Sequence, residues 1–276
     1  MSDILQSNEL NVHDTLIALT NQLEAEEVAI SLSSGIDSLS VLYALLECNK
    51  RVTVYSFTLE DRESRDFKEA KETAEKLNLS FVPIILPIDV KTLKRDVCRL
   101  HTDYGCIKKT DYVCSWPYLY LTNKVKEKVL ATGMAADGHF CISKKGMIHY
   151  RNDIITFRKN YFSNPSRCQL PQRTKMASEC GIQLFEPYLD NAMYEYLLNS
   201  TWDECNKPQQ KMPIRRAFNY EHMHNHTNFQ LGDSGISEHF EKLLKTDWNT
   251  HNYKSVVGIF NLVNKGELPY AVRKLI

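Results

Sequence analysis

The sequence lacks several features that would place the protein in a special class. None of its eight cysteines lies in a C-x-x-C pair, and the first residues form no positively charged, apolar signal peptide. No run of eighteen apolar residues occurs, so we expect no membrane span and no membrane partner. Lys plus Arg and Asp plus Glu number 34 each, so no overall basic charge favours nucleic acid. These absences predict a cytoplasmic protein with reduced thiols.

The sequence does contain a regular alternation of apolar runs and amphipathic stretches. Short apolar runs predict buried strands at residues 28–32, 52–57, 80–86 and 128–132. Helical patterns accompany them at residues 8–25, 39–48, 64–78 and 118–126. Strands and helices in this alternation predict a doubly wound parallel sheet of the α/β class, with right-handed crossovers.

The pattern changes beyond about residue 165, where strand signals fade. Helical stretches follow near residues 172–180, 190–200, 210–220, 236–246 and 253–264. We therefore expect an α/β nucleotide-binding domain over residues 1–165 and a mostly helical C-terminal region over residues 166–276 that completes the active site.

A loop of small polar residues, S-S-G-I-D-S at residues 33–38, follows the first predicted strand. Between a parallel strand and a helix, such a loop presents backbone N–H groups to an anion, and Gly35 allows a phosphate to approach closely. Hydroxyl donors would come from Ser33, Ser34 and Ser38. A carboxylate such as Asp37 would repel a pyrophosphate directly, but the two can lie side by side if Mg²⁺ binds between them. The six residues alone are equally typical of a helix-capping turn.

The loop also differs from two common nucleotide-binding motifs. It has no lysine, so it is not the G-x-x-x-x-G-K-[ST] loop of kinase-type phosphate transfer, and it lacks the G-x-G-x-x-G spacing of dinucleotide folds.

A second loop of small residues, Gly133 to Asp137, follows the fourth predicted strand. Because the carboxyl ends of parallel strands meet at one edge of a sheet, this loop should face the first. Asp37 and Asp137 are then candidate ligands for Mg²⁺ against a pyrophosphate leaving group. The alternative for Asp137 is a simple turn residue before Gly138.

Several segments, in order, resemble the synthetase domain of the asparagine synthetases, within the PP-loop ATP pyrophosphatase superfamily (HUP-like, adenine nucleotide α-hydrolase-like). The first loop resembles S-G-G-[LIV]-D-S, with Ser34 where glycine is usual. The other matching segments are DFKEAKETAEKLNL (66–79), LATGMAADGHF (130–140), RTKMASECGIQLFEPYLD (173–190) and KMPIR (211–215). The resemblance spans roughly residues 28–218.

The resemblance implies an ATP- and Mg²⁺-dependent ligase that adenylates a carboxylate, releases pyrophosphate and passes the acyl group to ammonia or an amine. It places pyrophosphate and metal at the first loop, Gly133 and the two aspartates, Asp37 and Asp137. It places backbone of the Ser56-Phe57-Thr58 segment around the adenine. Lys211 and Arg215 would be the catalytic cations that stabilise phosphate charge.

Departures from the family pattern affect the second half of this reaction. Met134 and Gly138 stand where the family has glutamate, and methionine cannot relay a proton. Glu186 lies one place away from an expected carboxylate. Ser2 follows Met1, and no N-terminal glutaminase precedes the first loop, so nitrogen would come from free ammonia, an amine, or a separate glutaminase partner.

Two other functions stay open at this point. A nucleic-acid base (in tRNA or DNA) is an alternative substrate, and a basic patch supports it: Lys144, Lys145, Arg151, Arg158 and Lys159. A non-catalytic ATP-binding protein is the other alternative, because the glutamate expected at Met134 is lost.

Overall fold

A parallel sheet of five strands forms the centre of the described protein. The computed structural model describes residues 11–33, 35–218 and 234–248, together with 260 and 263–265. Its strands are β1 (Glu27–Ser31), β2 (Arg51–Leu59), β3 (Ser80–Leu86), β4 (Val129–Thr132) and β5 (Gln183–Phe185). They pair in parallel in the order β3-β2-β1-β4-β5. This confirms the predicted doubly wound α/β fold.

Helices connect the strands and form most of the described chain after β4. In the first part they are α1 (Val12–Asn21), α2 (Ile36–Glu47), α3 (Arg65–Lys76), α4 (Val90–Thr102), α5 (Lys109–Leu121), α6 (Asp137–Phe140), α7 (Lys144–Tyr150) and α8 (Ile154–Ser163). Further along are α9 (Leu170–Glu179), α10 (Asn191–Leu198), α11 (Trp202–Asn206), α12 (Met212–Phe218) and α13 (Ile236–Trp248). Short 3₁₀ turns lie at Arg167–Gln169 and Pro187–Leu189.

Helices cover both faces of the sheet, as the continuous apolar strands require. In β1, Val28 and Ile30 face a core built with α1, α2, α3, α10 and α12. Ala29, between them, faces the opposite core, built with α4, α5, α9 and α13. The two-residue period of a strand therefore divides one buried segment between two hydrophobic cores.

The strand order reverses between β1 and β4. From β1 the chain moves through β2 to β3 on one side, and then returns to place β4 on the other side of β1. In open α/β sheets, ligands bind at the carboxyl ends of the strands where the order reverses. The loops after β1 and β4 lie at this position.

The structure differs from the sequence-based prediction in several elements. Five helices were not predicted: α4, α6, α7, α8 and α11. The helix expected at 118–126 instead spans Lys109–Leu121, with Pro117 inside it, and the Thr122 hydroxyl donates to the Tyr118 carbonyl at its end. The three-residue strand β5 was not predicted, and it lies beyond residue 165. Ser34 lies outside the described residues, as does most of the expected helix at 253–264. Among the described helices, none is long and apolar enough to cross a membrane.

Candidate functional site

The first loop is closed around the hydroxyl of Ser38. The Ser38 Oγ lies 3.1 Å from the carbonyl oxygens of both Ser33 and Gly35, and it accepts from the Ser33 N–H at 3.2 Å. Ser38 is therefore buried, and its hydroxyl shapes the loop from inside. Gly35 precedes the first turn of α2, whose N-terminal N–H groups have no partner within the helix. The loop thus ends at a helix N-terminus, the kind of place where anions bind in other proteins, and its role in phosphate binding stays a prediction.

The second loop packs directly against the first turn of α2. A Cβ atom at Gly133 would lie 2.4 Å from the carbonyl carbon of Asp37 and 2.4 Å from the nitrogen of Ser38. No side chain fits in that space, so position 133 requires glycine. This close approach brings the two loops into one site.

Lys211 joins the two loops through their carboxylates. Its Nζ lies 2.6 Å from Asp37 Oδ2 and 2.7 Å from Asp137 Oδ1. Lys211 lies just before α12 and is 3% exposed, whereas the side chains of Asp37 and Asp137 are 20% and 45% exposed. Burial disfavours the charge of Lys211, but the two aspartates outweigh that effect and raise the pKa of this lysine. The residues that the sequence predicted on three separate segments therefore meet at one point.

A second layer of hydrogen bonds fixes the start of α2. The Ser40 hydroxyl donates to the carbonyl of Asp37 at 2.8 Å and lies 2.6 Å from the hydroxyl of Tyr188. Tyr188 is fully buried and comes from the turn after β5. The backbone of Asp37 is thereby tied to the C-terminal half of the chain.

The donor set of this site fits Mg²⁺ bound together with a nucleotide. Two carboxylate oxygens already converge on one cation, the Lys211 ammonium, and carboxylate oxygen is the donor that Mg²⁺ prefers. Within the described part of the chain, no cluster of three or more His, Cys, Asp or Glu side chains is arranged to hold a metal. A pair of carboxylates is typical of Mg²⁺ that also binds phosphate oxygens and water. Asp37 and Asp137 would hold the metal, and the α2 N-terminus would hold the phosphates.

The other predicted site residues lie near this edge of the sheet. Phe57 and Thr58 belong to the last residues of β2, and the Thr58 hydroxyl donates to the Arg62 carbonyl at 2.6 Å. Arg215 lies in α12, one turn after Lys211, and its Nε donates to the Gln210 carbonyl at 2.8 Å. The part of Phe57, Thr58 and Arg215 in ligand binding stays a prediction.

Tyr161 explains why the second loop carries glycine at position 138. A Cβ atom at Gly138 would lie 2.1 Å from Cε1 of the Tyr161 ring. The family glutamate cannot be accommodated there while Tyr161 occupies the space. The Tyr161 hydroxyl lies 2.6 Å from the Cys168 sulfur, and burial raises the pKa of both groups. Both are therefore protonated and neutral at physiological pH.

Sequence reasoning did not identify the buried polar cluster behind the second loop. An ion pair joins Arg173 and Glu186, which are 1% and 5% exposed, and the Thr132 hydroxyl donates to Glu186 at 2.9 Å. The R-x-x-M-A segment at 173–177 belongs to the family resemblance, but its sequence does not indicate a partner thirteen residues further along.

The predicted basic patch is smaller than expected, because Arg158 is wrongly included in it. Arg158 is fully buried and donates to the carbonyls of His139 and Leu198, so it ties α8 to neighbouring helices. Arg151 is exposed but pairs with Asp203. Lys144, Lys145 and Lys159 are exposed on α7 and α8.

Comparison with known proteins assigns the chain to a family. No curated protein sequence matches it. One similar solved structure is a predicted subunit of a tRNA methyltransferase from Methanocaldococcus jannaschii, with 17% identity over 62% of this chain and 71% of that chain and a TM-score of 0.35. Another is the U34-tRNA thiolase NcsA from Methanococcus maripaludis with its [4Fe-4S] cluster, with 15% identity over 94% and 76% of the chains and a TM-score of 0.38. Because both TM-scores are low, neither likeness carries an inference about function. The family model for asparagine synthase matches residues 17–155, half of the chain, so the chain belongs to the asparagine synthase family.

Proposed function

We propose that this protein is an ATP-dependent, AMP-forming ligase that adenylates a carboxylate and transfers the acyl group to ammonia or an amine. The observation that carries the proposal is the Lys211 ammonium between Asp37 and Asp137, at the reversal point of the sheet. This arrangement supplies carboxylates for a metal and a fixed positive charge for phosphate oxygens at the same place.

The first half-reaction follows from the charges at the site. A substrate carboxylate oxygen attacks the α-phosphorus of ATP, and the bond to the bridging oxygen of pyrophosphate breaks. Negative charge develops on that leaving group, where Mg²⁺ supplies charge neutralisation when bound. Lys211 and the N–H groups at the start of α2 stabilise the same charge, because they are held in place before the reaction begins.

The second half-reaction needs a nucleophile in its unprotonated form. Ammonia or an amine attacks the acyl carbon, AMP leaves, and the attacking nitrogen must lose a proton. Met134, partly exposed in the second loop, cannot accept that proton. The nucleophile therefore enters as the free base, and the proton goes to water or to the departing AMP phosphate. We expect the rate of product formation to rise with pH up to the pKa of the amine.

Product analysis tests the proposal directly. Incubation with ATP, Mg²⁺ and a panel of carboxylic acids with ammonia or amines should give AMP and pyrophosphate in equal amounts. The variant Asp37→Ala should lose that activity. Formation of ADP and phosphate, or unchanged activity in Asp37→Ala, would refute the proposal.

The same assay separates the two alternative functions. AMP formation that requires added tRNA or DNA would indicate a base-modification enzyme, with the exposed lysines of α7 and α8 as its nucleic-acid contacts. Stoichiometric ATP binding without pyrophosphate release, for every acid and nucleic acid offered, would indicate a non-catalytic ATP-binding protein.

A further inference from the structure

We infer that Thr132, Glu186 and Arg173 act together as positioning residues that set the Gly133–Asp137 loop against the start of α2. The inference rests on the proposed function for its catalytic consequence, since Asp137 is the metal-binding carboxylate of that loop. Thr132 is the last residue of β4, Glu186 directly follows β5, and Arg173 lies in α9.

Thr132 makes the direct contact with the loop. It is the last residue of β4, and its Oγ accepts a hydrogen bond from the Met134 N–H at 3.2 Å. The same hydroxyl donates its own proton to Glu186 at 2.9 Å. The direction of each hydrogen bond is therefore fixed. Because the Glu186 carboxylate can only accept, the Thr132 hydroxyl donates to it, and the lone pairs of the hydroxyl oxygen accept from the Met134 N–H.

Arg173 holds Glu186 in the position that this arrangement needs. The two form an ion pair inside the protein, and Arg173 Nε also donates to the Cys168 carbonyl at 2.8 Å. The guanidinium lies over the Tyr118 ring, with 5.5 Å between Cζ and the ring centroid. Because desolvation offsets much of the attraction in a buried ion pair, we assign this pair a positional role rather than a stabilising one.

On the side that faces α2, the Gly133–Asp137 loop has little room to move. Gly133 is in contact with Asp37 and Ser38, so a small displacement of the loop toward α2 is blocked. The Thr132 hydrogen bond prevents displacement in the opposite direction. The loop is thus held between α2 and the buried ion pair, and Asp137 reaches Lys211 from this fixed backbone.

The variant Thr132→Val tests the inference, because it removes the hydroxyl at nearly constant volume and leaves the ion pair intact. We expect the Met134 amide to exchange with solvent about tenfold faster, measured by hydrogen exchange and mass spectrometry on a peptide that spans residues 130–140. The kcat for AMP formation should fall about tenfold, with less than about threefold change in KM for ATP. The variant Thr132→Ser keeps the hydroxyl and should restore both values.

A matched control is Thr20→Val, since Thr20 is also fully buried but its hydroxyl makes no hydrogen bond to any residue that the structure describes. Its exchange at 130–140 and its kcat should equal those of the wild type. Unchanged Met134 exchange in Thr132→Val, or identical behaviour of the Val and Ser variants, would overturn the inference. If the wild type forms no AMP, the proposed function fails, but the exchange comparison still decides whether Thr132 holds the loop.

Discussion

At the scale of single residues, Lys211 carries the strongest prediction about activity. The variant Lys211→Met keeps the length of the side chain and removes the charge between Asp37 and Asp137. Loss of one fixed group that stabilises developing charge lowers turnover by about 10²–10³-fold in other enzymes. We expect a fall of at least about 100-fold in kcat/KM for AMP formation, measured by pyrophosphate release.

The control for Lys211 lies four residues earlier in the chain. Lys207 forms an ion pair with Asp203, but both side chains are more than half exposed. Exposed pairs contribute little, so Lys207→Met should leave kcat/KM unchanged. If kcat/KM falls equally in both variants, the loss comes from removing any positive charge in this segment. That result would refute a specific role for Lys211.

Gly138 gives a second prediction at this scale, now about stability. Gly138 is the second residue of the four-residue helix α6, where alanine in place of glycine would on its own favour the helix by less than about 1 kcal/mol. Because the new methyl group would collide with the Tyr161 ring, Gly138→Ala should instead destabilise the protein by about 1–3 kcal/mol. In a Tyr161→Leu background, the Gly138→Ala substitution should instead stabilise the protein. Urea unfolding of the four proteins of this double-mutant cycle measures the coupling; additive effects would contradict the clash.

At the scale of elements, α6 and α10 are joined through a histidine that stays neutral. His139 in α6 is buried, and its Nε2 lies 2.8 Å from the carbonyl of Tyr188, which precedes α10. Burial lowers the pKa of His139 to about 3, from 6.5 in the unfolded chain. Between these pH values the unfolded chain binds a proton that the folded protein does not bind. His139 therefore makes the free energy of unfolding decrease as the pH falls from 6.5 toward 3.

The variant His139→Gln retains a donor for the Tyr188 carbonyl and removes the titration. We expect its unfolding free energy to depend less on pH between 7 and 5 than that of the wild type, by up to about 1.4 kcal/mol per pH unit.

His13 provides a control of opposite sign, because its hydrogen bond to Asp14 raises its pKa. The free energy of unfolding of His13→Gln should therefore be lower than that of the wild type at low pH, where His13 is protonated, and the difference should shrink as the pH rises. Urea titrations at several pH values measure both, and parallel curves for wild type and His139→Gln would refute the assignment.

At the scale of the whole molecule, the sequence predicted the fold better than the connections across it. β1 to β4 are apolar runs whose local pattern is sufficient to identify them, whereas β5 has only three residues and is held by pairing with β4. That Asp37 and Asp137 lie close together could be predicted, because each follows a strand at the same edge of the sheet. The Arg173–Glu186 pair and Tyr161 were missed because their roles depend on packing between distant segments, which one sequence does not display.

These connections also bear on the division proposed at residue 165. β5 from the second part completes the sheet, and α1 and α2 from the first part pack against α12. From the second part, Lys211 contacts Asp37 in the first turn of α2, and Tyr188 contacts Ser40 one residue beyond that turn. The two parts therefore share a hydrophobic core, and both contribute residues to the candidate site.

We accordingly expect a fragment of residues 1–165 not to fold on its own. Without β5, strand β4 becomes an unprotected edge, and the apolar faces of α1 and α2 lose their partners. The full chain should unfold in urea in one transition that is the same by far-UV circular dichroism and tryptophan fluorescence, whereas the fragment should bind the dye ANS and show no cooperative transition. A sharp transition of the fragment, with an m-value appropriate to its length, would instead establish residues 1–165 as an independent domain. Because β4 and α2 carry the two loops of the site, loss of their packing partners should also abolish ATP binding by the fragment.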